Sequence, residues 1–200
     1  MPNITDLIPQ NSYELVRDRI AEILADELPN QATLAGESYI NANVFTERTI
    51  PIQQTETSLV EVSLARGDYD LMTAINKDGT YTYHIDIFTK SKSNENIRAG
   101  ELASRRLQRL TGICSIILSH WKYRTLGFMA PFIEHTEVQQ IQFAKVDKNN
   151  DAATVVMSRI TFNVRVPESI SKDNPTLIAG YETSVKISDT DFGYKYQTDI

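Results

Sequence analysis

The stretch that decides the fold is Thr80-Tyr81-Thr82-Tyr83-His84-Ile85-Asp86-Ile87-Phe88-Thr89-Lys90, together with the run from Glu95 to Ser119 that follows a polar bridge, Ser91 to Asn94. In the first part Tyr81, Tyr83, Ile85 and Ile87 fall on one face, with Thr82, His84, Asp86 and Lys90 mostly on the other. That period of two predicts a half-buried strand. From Glu95 the period changes, and Ala99, Leu102, Ala103, Leu110, Ile113, Cys114 and Ile117 recur at three and four residues, which predicts a long helix. A strand running into a helix is a scaffold, and this one contains no recognisable catalytic constellation.

Working outward, Asn11 with Glu14 three residues on forms a capping-box pattern at the start of an amphipathic helix lined by Leu15, Val16, Ile20, Ile23, Leu24 and Leu28. Pro29 is expected to end that helix. Tyr39 to Thr46 reads equally as a short strand or an extended loop, and Thr49-Ile50-Pro51-Ile52 as extended chain suited to a sheet edge. Leu59 to Leu64 alternates, with Val60, Val62 and Leu64 pointing one way. Ala65 to Gly79 is expected to be a connection, with Gly67-Asp68 and Asp78-Gly79 as turn signals, which makes the flanking strands antiparallel neighbours.

Beyond the central helix, Trp121 to Pro131 reads as a loop or short strand with exposed aromatics, including Tyr123 and Phe128. Val138 to Val146 and Thr154 to Val166 alternate on either side of the polar turn Asp147-Lys148-Asn149-Asn150-Asp151, a hairpin pattern. After Pro167 the chain turns polar, with few aliphatic residues to bury. Residues 168-200 are therefore expected to form an extension that orders against a neighbour or remains mobile. The expected fold class is α+β: an antiparallel sheet of about four strands against two main helices, with residues 1-167 as the domain and 168-200 as the C-terminal segment.

Composition narrows the function classes. The 20 Lys and Arg against 26 Asp and Glu give a net charge of −6, so broad attraction to nucleic acid or an anionic membrane is not expected. A single cysteine, Cys114, excludes an intrachain disulfide framework. Met1 to Gln10 lacks the basic cluster and apolar run of a secretory signal. No stretch approaches the roughly 18 apolar residues of a membrane span, so the reading is a soluble protein made and used without export.

Candidate sites are few. Asp147, Asn149 and Asp151 imitate the opening of a calcium loop, but Ala152 replaces the turn glycine and Ser158 the bidentate Glu. His84, Asp86 and Lys90 share a strand face in a loose imitation of a metal-dependent nuclease site. Asp86 and Lys90 are four apart, however, and a solvated strand face is the plainer reading. His84, His120 and His135 lack ligand spacing, and Cys114 lies on the buried stripe of the helix. Arg66-Gly67-Asp68 matches the tripeptide read by integrins, a chance occurrence at a glycine turn. Arg98, Arg105, Arg106 and Arg109 run along the central helix, with Arg98, Arg105 and Arg109 within one broad side. They read as a solvated face, a contact for a protein partner or, disfavoured by the net negative charge, a contact for nucleic acid. No cofactor or metal is expected.

Taken together these elements resemble the tail terminator, or tail completion, proteins of long-tailed bacteriophages and related contractile particles. The resemblance spans roughly Tyr13 to Pro167: the amphipathic helix beginning Tyr13-Glu14-Leu15-Val16-Arg17-Asp18-Arg19-Ile20, the proline-bearing Ile50-Pro51-Ile52, the strand Tyr81 to Ile87, the helix through Ala103 to Leu118, and a closing hairpin ending Ile160-Thr161-Phe162-Asn163-Val164-Arg165-Val166-Pro167. It implies a virion protein without turnover, found at the tail and neck and assembled in the host cytoplasm. Six copies form a homohexameric ring that ends tail-tube polymerisation. Implied partners are the tail tube protein, the head-tail connector or stopper protein, and a sheath or collar protein as a further contact. Genomic DNA passes through the lumen only in transit, and an acidic wall would not retain it. The interface candidates are Arg98, Arg105 and Arg109 on the helix and Tyr194 and Tyr196 in the C-terminal segment. The alternatives are a stopper position in the neck, a small metal-dependent nuclease centred on Asp86, or a binding module using the arginine-bearing helix.

Overall fold

A computed structural model describes residues 10–48, 56–71, 77–92, 99–145, 153–168, 180–185 and 194–199. The first element is helix α1, Ser12–Ala35, opened by the Asn11 N–H donating to Glu14 Oε2 at 2.7 Å. Its buried residues, Val16, Ile20, Ile23, Leu24, Leu28 and Ala32, make one stripe. That stripe carries the helix straight through Pro29, against the expectation that proline would end it. Proline removes one backbone donor, but Leu28 and Ala32 bury on either side of it and hold the last turn on the core. The helix stops at Gly36, whose φ of 67° allows the N–H groups of Gly36 and Glu37 to return to the carbonyls of Thr33 and Ala32.

The strands are β1 (Asn43–Thr46), β2 (Ser58–Leu71), β3 (Lys77–Lys92), β4 (His135–Lys145) and β5 (Ala153–Pro167), joined in the order β1-β2-β3-β5-β4. Helix α2, Ala99–Ser119, stands between β3 and β4 in sequence. All neighbours are antiparallel except β1 and β2. The architecture is α+β, two helices on one face of an open five-stranded sheet, and the ambiguous Tyr39 to Thr46 region supplies the fifth strand. The expected hairpin is the β4–β5 pair; its turn residues, 147–151, and the segment Thr49 to Ile52 lie outside the described residues.

Alternation does the sorting. Tyr81, Tyr83, Ile85 and Ile87 are buried beneath the helices, beside Val60 and Val62 of β2 and Ile160, Phe162, Val164 and Val166 of β5. Helix α1 lies over β1 and β2, and α2 over β3 and β5. Polar atoms under the helices are paired: the Thr89 hydroxyl donates to the Ala103 carbonyl at 2.8 Å, Tyr83 donates to the Tyr13 carbonyl at 2.9 Å, and the Thr111 and Ser158 hydroxyls meet at 2.6 Å. These contacts set the start of α1 near Tyr83 and the start of α2 near Thr89, so the two helices run antiparallel.

Several local expectations change. Arg66-Gly67-Asp68 is not a turn; β2 continues to Leu71, with Gly67 opposite Tyr81. A Cβ at Gly67 would stand 3.1 Å from the Tyr81 ring, and one at Gly79 would stand 2.7 Å from its hydroxyl, so both glycines make room for that ring rather than bend the chain. On α2, Leu102 is only half-buried while Leu107 and Leu118 are buried. Phe128 is buried rather than exposed and packs on Phe132, with ring centroids 4.7 Å apart. The C-terminal segment contains two short strands, β6 (Gly180–Val185) and β7 (Tyr194–Asp199), which pair with each other as a separate two-stranded sheet. Among the described residues, no helix is long and apolar enough to cross a membrane.

Candidate functional site

The outward face of the sheet holds the residues expected to imitate a nuclease. Register places Glu61, Asp86, Arg159 and Gln142 in one row and Ser63, His84, Thr161 and Gln140 in the next. Asp86 is buried, and both its oxygens are taken by Arg159: Nε and Nη2 each donate at 2.7 Å. A carboxylate held in this bidentate fork has its charge already balanced, which makes it a poor ligand for a cation unless the pair opens. Burial and the neighbouring Asp86 charge push the Glu61 carboxyl above its ordinary range. Among the described residues no three His, Cys, Asp or Glu side chains cluster as a metal site. Cys114 is buried, and burial pushes its thiol up to about 12, which suits a core residue rather than a nucleophile. His84, His120 and His135 sit apart, on β3, just after α2 and at the start of β4.

His84 carries a pH prediction. Burial, with the Arg159 charge adding to it, lowers its pKa below the usual 6.5, and Asp86 offsets only part of this. The unfolded chain then binds the proton first as pH falls, so this contribution to stability is present above about pH 6.5 and is lost as pH drops through the lower, folded value. Urea midpoints at pH 8 and pH 5.5 should differ for the natural protein and differ less for His84→Gln. Equal differences in the two proteins would remove His84 from the acid response.

The helical layer offers a different kind of surface. Between α1 and α2 lies a groove of about 230 Å³. It is lined by Ile113, Ile116 and Ile117, with Arg109 towards one end and Lys122 with Tyr123 towards the other. Glu27 of α1 reaches in and accepts from the Tyr123 hydroxyl and, at 3.5 Å, from the Lys122 ammonium. The Tyr123 hydrogen bond is the main reason that the Glu27 carboxyl sits below its ordinary range, with the Lys122 charge adding to it against desolvation. Ile116 is 66% exposed and Trp121, just beyond the helix, 82%. Two large apolar side chains are thus left in water beside a groove that also carries Arg109 and Lys122.

The arginines divide between roles. Arg105 is exposed and pairs with Glu101 one turn back at 2.7 Å, a solvated helix pair. Arg106 turns inward, its guanidinium 5.1 Å from the Tyr39 ring centroid and 3.4 Å from the Ser91 hydroxyl. Arg109 is exposed on the groove and makes no ion pair or hydrogen bond among the described residues. Arg98 lies outside the described residues. Tyr194 and Tyr196 stand on β7 in register with Val185 and Thr183 of β6. The structure thus brings Arg109 to the groove, which sequence reasoning assembled only in part. Glu27, Gln31, Lys122 and Tyr123 were missed because only the antiparallel packing of α1 on α2 brings them together. One signal was present: Ile116 falls off the stripe formed by Ile113 and Ile117.

A second apolar surface lies at the sheet edge. Among the described residues strand β4 has no neighbour on its outer side, and Ile141 and Phe143 lie on the helix-bearing face, with Phe143 56% exposed. The chain matches no model of a known protein family, and a search of curated proteins finds no match to it.

Proposed function

We propose that this chain is a ring-forming subunit that caps the tail tube of a phage-like particle, ends its polymerisation and joins it to the head connector, with DNA passing through the lumen. Two supports stand behind the reading. The first is the resemblance of the element order to tail terminator proteins. The second, which carries it, is where the molecule leaves apolar surface uncovered. The groove with Ile116 and Trp121, and the open β4 edge with Ile141 and Phe143, lie on the helical layer and at the rim of the sheet. Subunits of a ring need contact surfaces on two sides, since a head-to-tail contact uses a different patch on each partner. Asp86, the one buried acid among the described residues, is paired with Arg159.

The test is capping. Purified chain mixed with preformed tail tubes should appear by negative-stain microscopy as extra density at one tube end, and capped tubes should stop elongating when tube protein is added. Tubes that elongate at the unaltered rate with bare ends contradict the reading. Density found only on isolated head connectors assigns the chain to the stopper position instead.

A further inference from the structure

We propose that the open edge of strand β4 is completed by the β6–β7 hairpin of a second copy of this chain. The inference rests on the ring reading and names the contact that repeats around it. An edge strand presents a row of unpaired N–H and C=O groups, and a long one left bare is a template for another strand. Strand β4 runs for 11 residues, and among the described residues only β5 pairs with it. Its one irregularity falls between Val138 and Gln140, so Gln140 to Lys145 stay in regular register, with the exposed Ile141 and Phe143 among them.

The opposite edge of the sheet is treated differently. Strand β1 is only 4 residues long, and just past its end the Glu47 carboxylate accepts from the Leu64 N–H at 2.9 Å. A side chain of the same molecule thus closes that part of the β2 edge. The occupant of the β4 edge is argued from the rest of the chain. Strands β6 and β7 pair with each other and, among the described residues, with no other strand. A two-stranded hairpin is marginal in water and gains stability from a third strand. The hairpin lacks an edge, and β4 lacks a strand.

The way the chain leaves the sheet favours a second copy over its own edge. Glu168, directly after β5, accepts a hydrogen bond from the Tyr81 hydroxyl of β3, whose ring stands edge-on to Tyr69 of β2. In the order β1-β2-β3-β5-β4, those strands lie on the far side of β5 from β4, so the C-terminal segment is tied off away from its own open edge. Length points the same way. Stepping across its own β4 takes two strand spacings, about 10 Å, whereas residues 168–179 reach about 40 Å when extended. A connection that long suits exchange between copies. Donating a hairpin to a neighbour's edge uses a different surface on each partner, the head-to-tail contact from which rings close.

Hydrogen exchange read by mass spectrometry, on the natural protein across a concentration series, tests this. Amides of β4, β6 and β7 are expected to slow together, by about tenfold or more, as the chain assembles. Ile141→Lys with Phe143→Lys replaces two side chains that are already exposed, so the subunit should melt within a few degrees of the natural protein while the slowing in β6 and β7 is lost. The hairpin of that double variant is unaltered, and an excess of natural chain, mixed with the isotope-labelled variant, should restore its slow exchange. A hairpin already slow in the monomer, a β4 that exchanges as a bare edge within an assembled oligomer, or a variant hairpin that natural chain fails to rescue would overturn the inference. Those results leave the ring reading intact if the natural chain still forms a closed oligomer. A natural chain that stays monomeric rejects both.

Discussion

Phe162→Ala is expected to lower stability by about 3–5 kcal/mol, while Phe143→Ala, the same change on the neighbouring strand and the same face of the sheet, is expected to cost less than about 0.5 kcal/mol in the isolated subunit. The difference lies in what covers each ring. Phe162 is fully buried on β5, opposite Tyr83 of β3 and Val138 of β4, between Ile160 and Val164. Removing it opens a cavity that the helices above cannot fill without leaving their own contacts. Phe143 lies opposite Ser158 on β4 but beyond the reach of α2, and it keeps more than half its surface in water. In a chain of this length each kcal/mol moves the melting temperature by roughly 2–4 °C, so Phe162→Ala should melt about 6–20 °C lower and Phe143→Ala nearly unchanged. Thermal denaturation reads both. A large loss at both positions would mean that β4 is covered in the subunit, against the fold described.

The second large effect concerns Asp86. Arg159→Met is expected to destabilise by about 2–3 kcal/mol, because it leaves a buried carboxylate without its bidentate partner and beside Glu61 on the next strand. The figure is set below the roughly 3–5 kcal/mol for breaking a fully buried pair because the Arg159 side chain is 36% exposed and water can reach the gap. Asp86→Val combined with Arg159→Val should recover most of the loss. It removes both charges together, relieves Glu61 of its acidic neighbour and places β-branched residues where a strand accepts them. Urea denaturation of Asp86→Val, Arg159→Val and the double variant closes the cycle. If Arg159→Met is neutral, the pair is not what holds Asp86, and the carboxylate is free for other chemistry.

The sequence revealed the sheet better than the surface. Alternation identified β3 and β5 because each buries one face under helices and leaves the other to solvent, so register and burial agree. Pro29 and Gly67 misled for a shared reason: each is a local signal overruled by a tertiary contact. Leu28 and Ala32 hold the helix through Pro29, and the ring of Tyr81 occupies the space that Gly67 leaves. Phe128 was placed outside because its neighbourhood is polar and irregular, while its burial comes from a loop folding back on Phe132. The arginines are visible as a run, but which of them stays open depends on Glu101, Tyr39 and Ser91, which occupy Arg105 and Arg106 and leave Arg109 without such a contact among the described residues. The groove itself was not legible, since its walls come from α1, α2 and the turn after α2 at separations no local pattern encodes.

The claim at the centre of the account is that this chain works as one member of a closed ring. Native mass spectrometry of the purified natural protein across a concentration series tests it most directly. The account predicts one dominant closed species, at six times the chain mass of 22.6 kDa, appearing as ring particles under negative stain. A monomer that persists to the highest concentration, or an open series of sizes without a closed species, would contradict it.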